Sequence, residues 1–172
     1  DVTVGMICAN QFSITRTYRA TDDCGNSATC TQTITVFDDI APILTCPVSV
    51  TVSCASNVPA ADPGSVSVSD NCGGVPVVTN SDVTVNMTCV NRFTVNRTYT
   101  ATDECGNTAT CLQTITVFDN TPPAITCPAN LTVSCASQVP GPNTGSVITS
   151  DNCGGTPVVT LVGDVTTNMT CV

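Results

Sequence analysis

The sequence predicts an all-β protein made of tandem antiparallel β-sandwiches, rich in disulfides and arranged end to end. Three observations support this fold class. Apolar and polar residues alternate with a period of two in stretches rich in Thr and Val, and no stretch has a helical period. The 172 residues include 13 cysteines, close to the proportion found in small disulfide scaffolds. One long stretch of sequence also occurs twice.

The repeat is the clearest of these patterns. The stretch ATDDCGNSATCTQTITVFDDIAPILTCP (20–47) returns 81 positions later as ATDECGNTATCLQTITVFDNTPPAITCP (101–128). Residues 1–38 and 82–119 are identical at 27 of 38 aligned positions. The complete period contains six cysteines, an even number that can form internal pairs.

Pro-containing junctions, FDDIAP and FDNTPP, separate the repeats. They divide the chain into the C-terminal half of one repeat (1–39), a complete repeat (40–119) and the N-terminal part of the next (120–172). Short linkers stiffened by Pro favour a rod over a flexible string. Because the sequence starts and stops within a repeat, we expect either a segment of a longer repeat protein or one subunit of an assembly.

Strands within the repeat follow from the alternation. The first, CPVSVTVSC, puts one set of residues on a single face: Cys46, Val48, Val50, Val52 and Cys54. Two later stretches, FTVNRTYTA and CLQTITV, direct a second set inward: Phe93, Val95, Tyr99, Ala101, Cys111, Ile115 and Val117. The turn sequences DNCGG and DECGN separate the strands. Several short strands in about 80 residues favour an immunoglobulin-like sandwich.

Arg97 interrupts this pattern because it shares the inward parity of Val95 and Tyr99. A lone buried charge is costly, so we expect Arg97 near a sheet margin, stacked on Tyr99 or paired with an acid. The alternative is a local bulge that turns it outward. Arg16 repeats the feature in the preceding repeat.

The charge balance excludes several classes of function. A net charge of −9, with four Lys and Arg in total, is unsuited to nucleic acid or to anionic membrane surfaces. No apolar run is long enough to be inserted in a membrane. The chain contains no His to serve as a general base, and it has no Gly-rich phosphate loop. We therefore expect a protein that is not an enzyme.

The cysteines predict disulfides rather than zinc, because the chain has no Cys-x-x-Cys pair and no His. Disulfides indicate an extracellular or cell-surface protein. Strand directions in a sandwich assign each cysteine to one pole, and this assignment predicts Cys46–Cys111, Cys54–Cys89, Cys72–Cys105 and Cys135–Cys171. The rival is a local Cys105–Cys111 bridge. The cysteines expected to pair outside the sequence are Cys8, Cys24, Cys30, Cys127 and Cys153.

Acidic turns form a second pattern. In the complete repeat, three turns should converge at the pole that faces the preceding repeat, with the residues Asp38, Asp39, Asp70, Asn71, Asp103 and Glu104. The next junction offers Asp119, Asn120, Asp151 and Asn152. Calcium takes six to eight oxygen ligands, so these groups could bind Ca²⁺ and stiffen the linker. The alternative is that Asp and Asn serve here as turn formers.

With ATDECGNTATC, TITVFDNTPPAITCP and NLTVSC, the chain resembles the HYR (hyalin repeat) and HYR-like domains. The resemblance implies immunoglobulin-like modules, found in tandem in extracellular proteins that include very long bacterial surface proteins. It implies adhesion or structural spacing rather than catalysis. The usual single bridge of the family would correspond to Cys46–Cys111. Four further cysteines per repeat point to the bacterial Cys-rich variants.

We therefore expect a structural protein that forms a stiff, disulfide-stabilised stalk or filament on or outside a bacterial cell. Its partners would be further copies of its own repeat or subunit. The alternative is an adhesin module that binds a glycan or a protein through its loops. Near-identical repeats with loops of Gly, Asn and Asp favour the structural role. In a third possibility, residues 1–39 and 120–172 of different subunits complete one another by strand exchange.

Overall fold

The computed structural model describes residues 1–167. Its strands fall into three groups along the chain, which we call the first, middle and third segments. The first segment is a three-stranded antiparallel sheet in the order β1-β2-β3, made of β1 (Val2–Cys8), β2 (Gln11–Thr21) and β3 (Ser27–Phe37).

The middle segment contains six strands in two sheets. The strands are β4 (Ile43–Thr45), β5 (Val50–Val52), β6 (Ser67–Ser69), β7 (Val77–Cys89), β8 (Arg92–Thr102) and β9 (Thr108–Phe118). The two-stranded sheet pairs β4 with β6, and the four-stranded sheet has the order β5-β9-β8-β7. Two short 3-10 helices, Ala55–Asn57 and Pro63–Ser65, connect β5 to β6.

The third segment repeats the early part of the middle segment. It contains β10 (Ala124–Thr126) and β11 (Ile148–Ser150), which pair with each other, and 3-10 helices at Ala136–Gln138 and Thr144–Ser146. All four elements lie 81 positions after their counterparts. Residues 131–133, the counterpart of β5, are not a strand, because β5 pairs with β9 and residues 1–167 contain no counterpart of β9 in this repeat. No helix in the described residues is long and apolar enough to cross a membrane.

The core of the middle segment lies on β8 and β9. Its buried apolar residues on these strands are those that the alternation predicts: Val95, Tyr99, Ala101, Ile115 and Val117. Tyr99 is 1% exposed, whereas its counterpart Tyr18 in the first segment is 49% exposed. Among the described residues, the first segment has counterparts of β7, β8 and β9 but none of β4 to β6, so one face of its sheet is uncovered here.

The expected continuous antiparallel strand over residues 46–54 is wrong. The chain leaves β4, which pairs antiparallel with β6, and continues as β5, which pairs in parallel with β9. Pro47 lies between the two strands and has no N–H to donate to a sheet. Val48 is 80% exposed rather than inward, and its carbonyl accepts a hydrogen bond of 2.9 Å from the side chain of Gln113. The prediction of a wholly antiparallel sandwich is therefore wrong at β5, which pairs in parallel.

Arg97 is buried, at 3% exposed, and it is paired with an acid. Its Nε and Nη2 atoms donate to the two carboxylate oxygens of Asp82, both at 2.8 Å, from the neighbouring position on β7. The expected place at a sheet margin is wrong, because β8 is an inner strand. The corresponding pair in the first segment, Arg16 with Asp1 at 3.1 Å, is exposed.

Candidate functional site: two disulfide-linked junctions

The first and middle segments each place a cysteine on a tight turn between two long strands, and an Asp organises that turn. In the middle segment, Oδ1 of Asp103 accepts hydrogen bonds from the backbone N–H of Cys105 at 2.9 Å and of Asn107 at 2.8 Å. Oδ2 accepts from the side-chain amide of Asn107 at 2.9 Å. Gly106 has a φ of 90°, a conformation that favours glycine. We call Asp103–Asn107 the cysteine turn.

The first segment contains the same turn at Asp22–Asn26. Oδ1 of Asp22 accepts from the N–H of Cys24 at 3.0 Å and of Asn26 at 2.7 Å, and Oδ2 accepts from the amide of Asn26 at 2.8 Å. These hydrogen bonds, led by the side chain of Asn26, lower the pKa of Asp22. The turn is therefore formed by local bonds, independently of a contact with another segment.

At the first junction, the cysteine turn lies against the first segment. Cys105 is joined by a disulfide to Cys8, with 5.2 Å between their Cα atoms. The side-chain amide of Asn107 donates to the carbonyl of Asp38 at 3.2 Å. Beside it, the side-chain amide of Asn10 donates to the carbonyl of Cys72 at 3.4 Å.

At the second junction, Cys54 is joined to Cys153 of the third segment, with 5.1 Å between the Cα atoms. Cys153 lies on the turn that follows β11, and its N–H donates to Asp151 at 3.0 Å. An open cleft of about 530 Å³ beside this bridge is lined by both Cys153 and Cys89. The third disulfide, Cys46–Cys111, lies within the middle segment, with 5.7 Å between the Cα atoms.

Two of the expected bridges are therefore corrected. Cys54 is bonded to Cys153 instead of Cys89, and Cys105 is bonded to Cys8 instead of Cys72 or Cys111. Cys54 and Cys89 both lie toward the third segment, and Cys72 and Cys105 toward the first. The expected partners thus share a pole, but each pole also faces a neighbouring segment whose cysteine lies within bonding reach. Strand direction carries no information about that neighbour.

Three other cysteine predictions have separate outcomes. Cys8 and Cys153, expected to pair outside the sequence, form bridges within it. Cys135 is exposed and has no partner among residues 1–167. Its expected partner, Cys171, lies outside the described residues.

The acidic residues form one cluster at each junction. Oxygen atoms of Asp38 and Asp70 and the sulfur of Cys72 lie within 4.8 Å of one another, and Asp119, Asp151 and Cys153 repeat the arrangement. Asp38 is buried, and Oδ2 of Asp70 is buried without a hydrogen-bond partner in the described part of the chain. A buried polar atom without a hydrogen-bond partner is rare in folded proteins.

The other residues predicted for calcium have different positions. Asp39 and Asn120 are exposed. Asp103 is engaged in its own turn, and the carboxylate of Glu104 faces Gly74. Asn71 and Asn152 each direct their side-chain amide toward the adjacent cysteine sulfur. Each cluster thus contains two carboxylates and one sulfur atom. Two carboxylates provide fewer oxygen ligands than calcium usually takes in a complete site.

The carboxylates also affect the thiol of Cys72. Desolvation raises the pKa of this thiol, and the nearby carboxylates of Asp38, Asp70 and Asp103 raise it further. The thiolate is the reactive form of cysteine, and a raised pKa leaves less of Cys72 in that form at neutral pH.

The fold and the bridges define a disulfide-rich, all-β module of an extracellular type, since disulfides persist in oxidising environments. Residues 42–117 match the family model described as HYR-like domain with 4 cysteines. The middle segment is therefore a HYR-like domain, a kind of extracellular adhesion-type module. The matched residues contain six cysteines, two more than the family description states. A comparison with curated proteins finds no match.

Sequence reasoning missed the contacts that cross the junctions. Asn10 and Asn107 connect neighbouring segments through backbone carbonyls. Asn107 belongs to the predicted turn DECGN, and no sequence pattern singled out Asn10. One signal could have indicated the crossing bridges. The sequence contains a cysteine at every pole that faces a junction, so each of these cysteines has a possible partner on either side of it.

Proposed function

We propose that this protein is a structural, non-catalytic extracellular repeat protein whose modules join end to end into a stiff rod, stalk or filament outside the cell. The observation that carries the proposal is that a disulfide crosses each of the two junctions. Cys8–Cys105 joins the first segment to the middle one, and Cys54–Cys153 joins the middle segment to the third. Neighbouring modules are thereby connected by a second covalent bond besides the linker.

The second connection restricts bending. A module held by its linker alone can rotate about the few backbone bonds of residues 38–42. When a disulfide also joins the two modules at a different point, most of these rotations would move the bonded sulfurs apart. Pro42 further limits the linker, because its ring holds φ near −65°. Two attachments per junction therefore favour a rod that transmits force along its axis.

Calcium is proposed as a further stiffening element at the junctions. The support is the buried carboxylate of Asp38, the unpartnered oxygen of Asp70 and the recurrence of the same pair as Asp119 and Asp151. Asp38 and Asp119 lie in the linkers, so a bound cation would attach each linker to the turn that follows β6 or β11. Backbone carbonyls and water would complete its oxygen ligands.

The large cleft of the third segment does not favour a ligand-binding role. It has a volume of about 690 Å³ and is lined by residues that include Leu131, Val147 and Val159. The middle-segment counterpart of Val147 is Val66, which is buried at 7% exposed. The cleft therefore corresponds to the interior of a repeat whose counterparts of β8 and β9 are not among the described residues. An uncovered interior explains its apolar lining without a glycan or a protein ligand.

Imaging and scattering test the proposal. Small-angle scattering of the oxidised chain, with electron microscopy of material isolated from the native source, should show an elongated particle. Its axial spacing should be about 35 Å per module, since strands of about ten residues rise about 3.3 Å per residue. Mild reduction should broaden the distribution of bending angles. Compact particles without an axial repeat, before and after reduction, contradict the proposal and favour the adhesin module.

A further inference from the structure

The sequence contains a single Asp-Pro bond, Asp62–Pro63, in the connection between β5 and β6, and Asp62 is exposed to solvent. Such a bond is the weakest kind of peptide bond in acid, for two chemical reasons. The proline nitrogen is a tertiary amide, which accepts a proton and leaves more readily than other peptide nitrogens. The Asp side chain also has a carboxylate that can attack the carbonyl carbon of its own residue and form a small cyclic anhydride.

The fold holds the carboxylate of Asp62 beside this bond. Asp62 is the N-cap of the 3-10 helix Pro63–Ser65, and its Oδ1 accepts a hydrogen bond of 3.0 Å from the N–H of Gly64. The hydrogen-bonded ring that this contact closes contains the Asp62–Pro63 peptide. Pro63 suits the first helical position, because its ring fixes a helical φ and its missing N–H has no partner to lose there. The labile bond is therefore part of an ordered turn.

Two donors converge on the carbonyl oxygen of the same peptide. Ser65 donates to the carbonyl of Asp62 from its Oγ at 2.6 Å and from its backbone N–H at 3.1 Å. Paired donors on a carbonyl oxygen polarise the C=O bond, and they stabilise the oxyanion that forms when the carbon is attacked. Ser65 therefore provides the contacts of an oxyanion hole at the bond that acid breaks most readily.

The third segment has the same turn without the labile bond. Asn143 is the N-cap of the 3-10 helix Thr144–Ser146, and its Oδ1 accepts from the N–H of Gly145 at 3.0 Å. Ser146 donates to the carbonyl of Asn143 from its Oγ at 2.7 Å and from its N–H at 3.2 Å. The turn thus forms with Asn and Thr, and it requires neither Asp nor Pro. The Asp62–Pro63 pair adds a reactivity that capping does not need.

We propose that Asp62–Pro63 is a self-cleavage site that acid activates, with the Asp62 carboxylate as the nucleophile and Ser65 as the stabiliser of the oxyanion. The oxygen that Gly64 does not bond, Oδ2, attacks the carbonyl carbon of Asp62, and the bond from that carbon to the Pro63 nitrogen breaks. The nitrogen takes a proton from the solvent and leaves as a secondary amine. Water then opens the anhydride, so the reaction consumes one water and restores the Asp62 side chain.

The proton for the leaving nitrogen comes from the solvent rather than from a neighbouring side chain. The helix Pro63–Ser65 packs against β7, whose titratable side chains are Asp82 and Cys89. Asp82 is bonded to Arg97, and Cys89 lines the cleft beside the third segment. Both therefore make their contacts elsewhere. Because Asp62 is exposed, the rate of cleavage should rise as the pH of the solution falls.

The two products of this cleavage stay joined. Each of the three disulfides connects a residue before the cut to a residue after it: Cys8–Cys105, Cys46–Cys111 and Cys54–Cys153. Acid therefore opens the connection without releasing either part, and a reductant is needed to break the remaining covalent links among residues 1–167. Acid and reductant together would dismantle a module that withstands either one alone. The reaction occurs once per chain, so it goes beyond the proposed structural role without contradicting it.

Incubation of the full oxidised chain at pH 5 and at pH 7 tests the proposal. At pH 5 the intact mass should rise by one water, a non-reducing gel should show one band, and a reducing gel should show two. Amino-terminal sequencing of the second fragment should begin at Pro63. At pH 7 these products should form more slowly. A chain that stays intact at pH 5, or that is cut at another bond, overturns the proposal.

The unfolded chain separates the effect of the fold from the ordinary lability of an Asp-Pro bond. The reference is the reduced and alkylated chain in urea at the same pH. The folded chain should be cleaved about tenfold faster, because the donors of Ser65 are placed on the carbonyl only in the folded state. Equal or slower cleavage of the folded chain overturns the proposal.

Matched variants test the two residues named. Ser65→Ala should slow cleavage of the folded chain about tenfold and leave the rate of the unfolded chain unchanged. Ser146→Ala is the control, because it removes the same contact where the labile bond is missing, and it should change neither rate. Asn143→Asp with Thr144→Pro should install a second cut after position 143. A Ser65→Ala chain that is cleaved as fast as the wild type overturns the role of Ser65, and the wild-type comparison does not depend on the folding of any variant.

Discussion

Cys8 and Cys105 are 97 positions apart in the sequence, and a disulfide joins them across the first junction. The bond connects the end of β1 to the turn between β8 and β9, two places that belong to different sheets. It therefore holds two segments together rather than closing one segment on itself. The Cys46–Cys111 bond, within the middle segment, has the opposite role. This difference leads to the first prediction.

Removing the Cys8–Cys105 bridge by Cys8→Ser with Cys105→Ser should loosen the junction and leave the middle segment folded. Cleavage at Asp39 by an Asp-specific protease should become at least tenfold faster, while the thermal midpoint changes little. The matched control, Cys46→Ser with Cys111→Ser, should lower the free energy of unfolding by about 3 kcal/mol, because this bridge constrains the unfolded middle segment. Unchanged cleavage at the linker in the first variant contradicts the role of the crossing bridge.

The folded protein should depend strongly on the ion pair between the buried Arg97 and Asp82. Asp82→Ala leaves a guanidinium that is 3% exposed without its partner, and the expected cost is on the order of 3 kcal/mol in urea unfolding. Asp1→Ala removes the corresponding partner of Arg16, where both side chains are exposed, and should cost less than about 1 kcal/mol. If the two variants lose the same free energy of unfolding, burial is not what makes the Arg97–Asp82 pair more important than the Arg16–Asp1 pair.

Acid should destabilise the protein below about pH 4. The hydrogen bond from Arg97 lowers the pKa of Asp82. Burial raises the pKa of Asp103, but the hydrogen bonds from Asn107 and neighbouring backbone groups lower it below its usual value. A carboxyl group whose pKa is lower in the folded state stabilises the fold above the unfolded pKa of about 3.9, and this stability is lost as the pH falls through the folded value.

The urea midpoint should therefore be the same at pH 7 and pH 5 and should fall between pH 4 and pH 2. In the Asp82→Asn variant, the part of this acid-induced loss that comes from Asp82 should disappear. A midpoint that falls already between pH 7 and pH 5 shows that other groups control the acid response.

Calcium should bind the clusters at the junctions if the unpartnered oxygen of Asp70 is a ligand. Added Ca²⁺ should raise the thermal midpoint of the chelator-treated protein by a few degrees, and calorimetric titration should detect binding. Asp38→Asn with Asp70→Asn should remove the shift at the first junction. Asp39→Asn is the matched control, because Asp39 is an exposed neighbour outside the cluster. No heat of binding and no shift in the wild type would leave these residues as turn formers.

The repeat, the β class and the core positions of the long strands can all be predicted from the order of the amino acids alone. Val95, Tyr99, Ile115 and Val117 are buried where the alternation places them, because side chains alternate faces along any extended strand. The cysteine turns could be recognised for a similar reason, since Asp, Gly and Asn stabilise them through bonds between residues at most four positions apart.

Which cysteines meet, and which strand β5 pairs with, depend on the tertiary structure. Cys54 and Cys105 bond to neighbouring segments rather than to Cys89 and Cys72, because a disulfide requires its two Cα atoms to lie within about 7 Å of each other. That distance depends on how successive modules are placed, and no local pattern records it. The alternation over residues 46–54 predicts a single strand of that length, but only β5 (Val50–Val52) forms within it. The alternation does not predict the parallel pairing of β5 with β9, because it requires a partner more than 60 residues away in sequence.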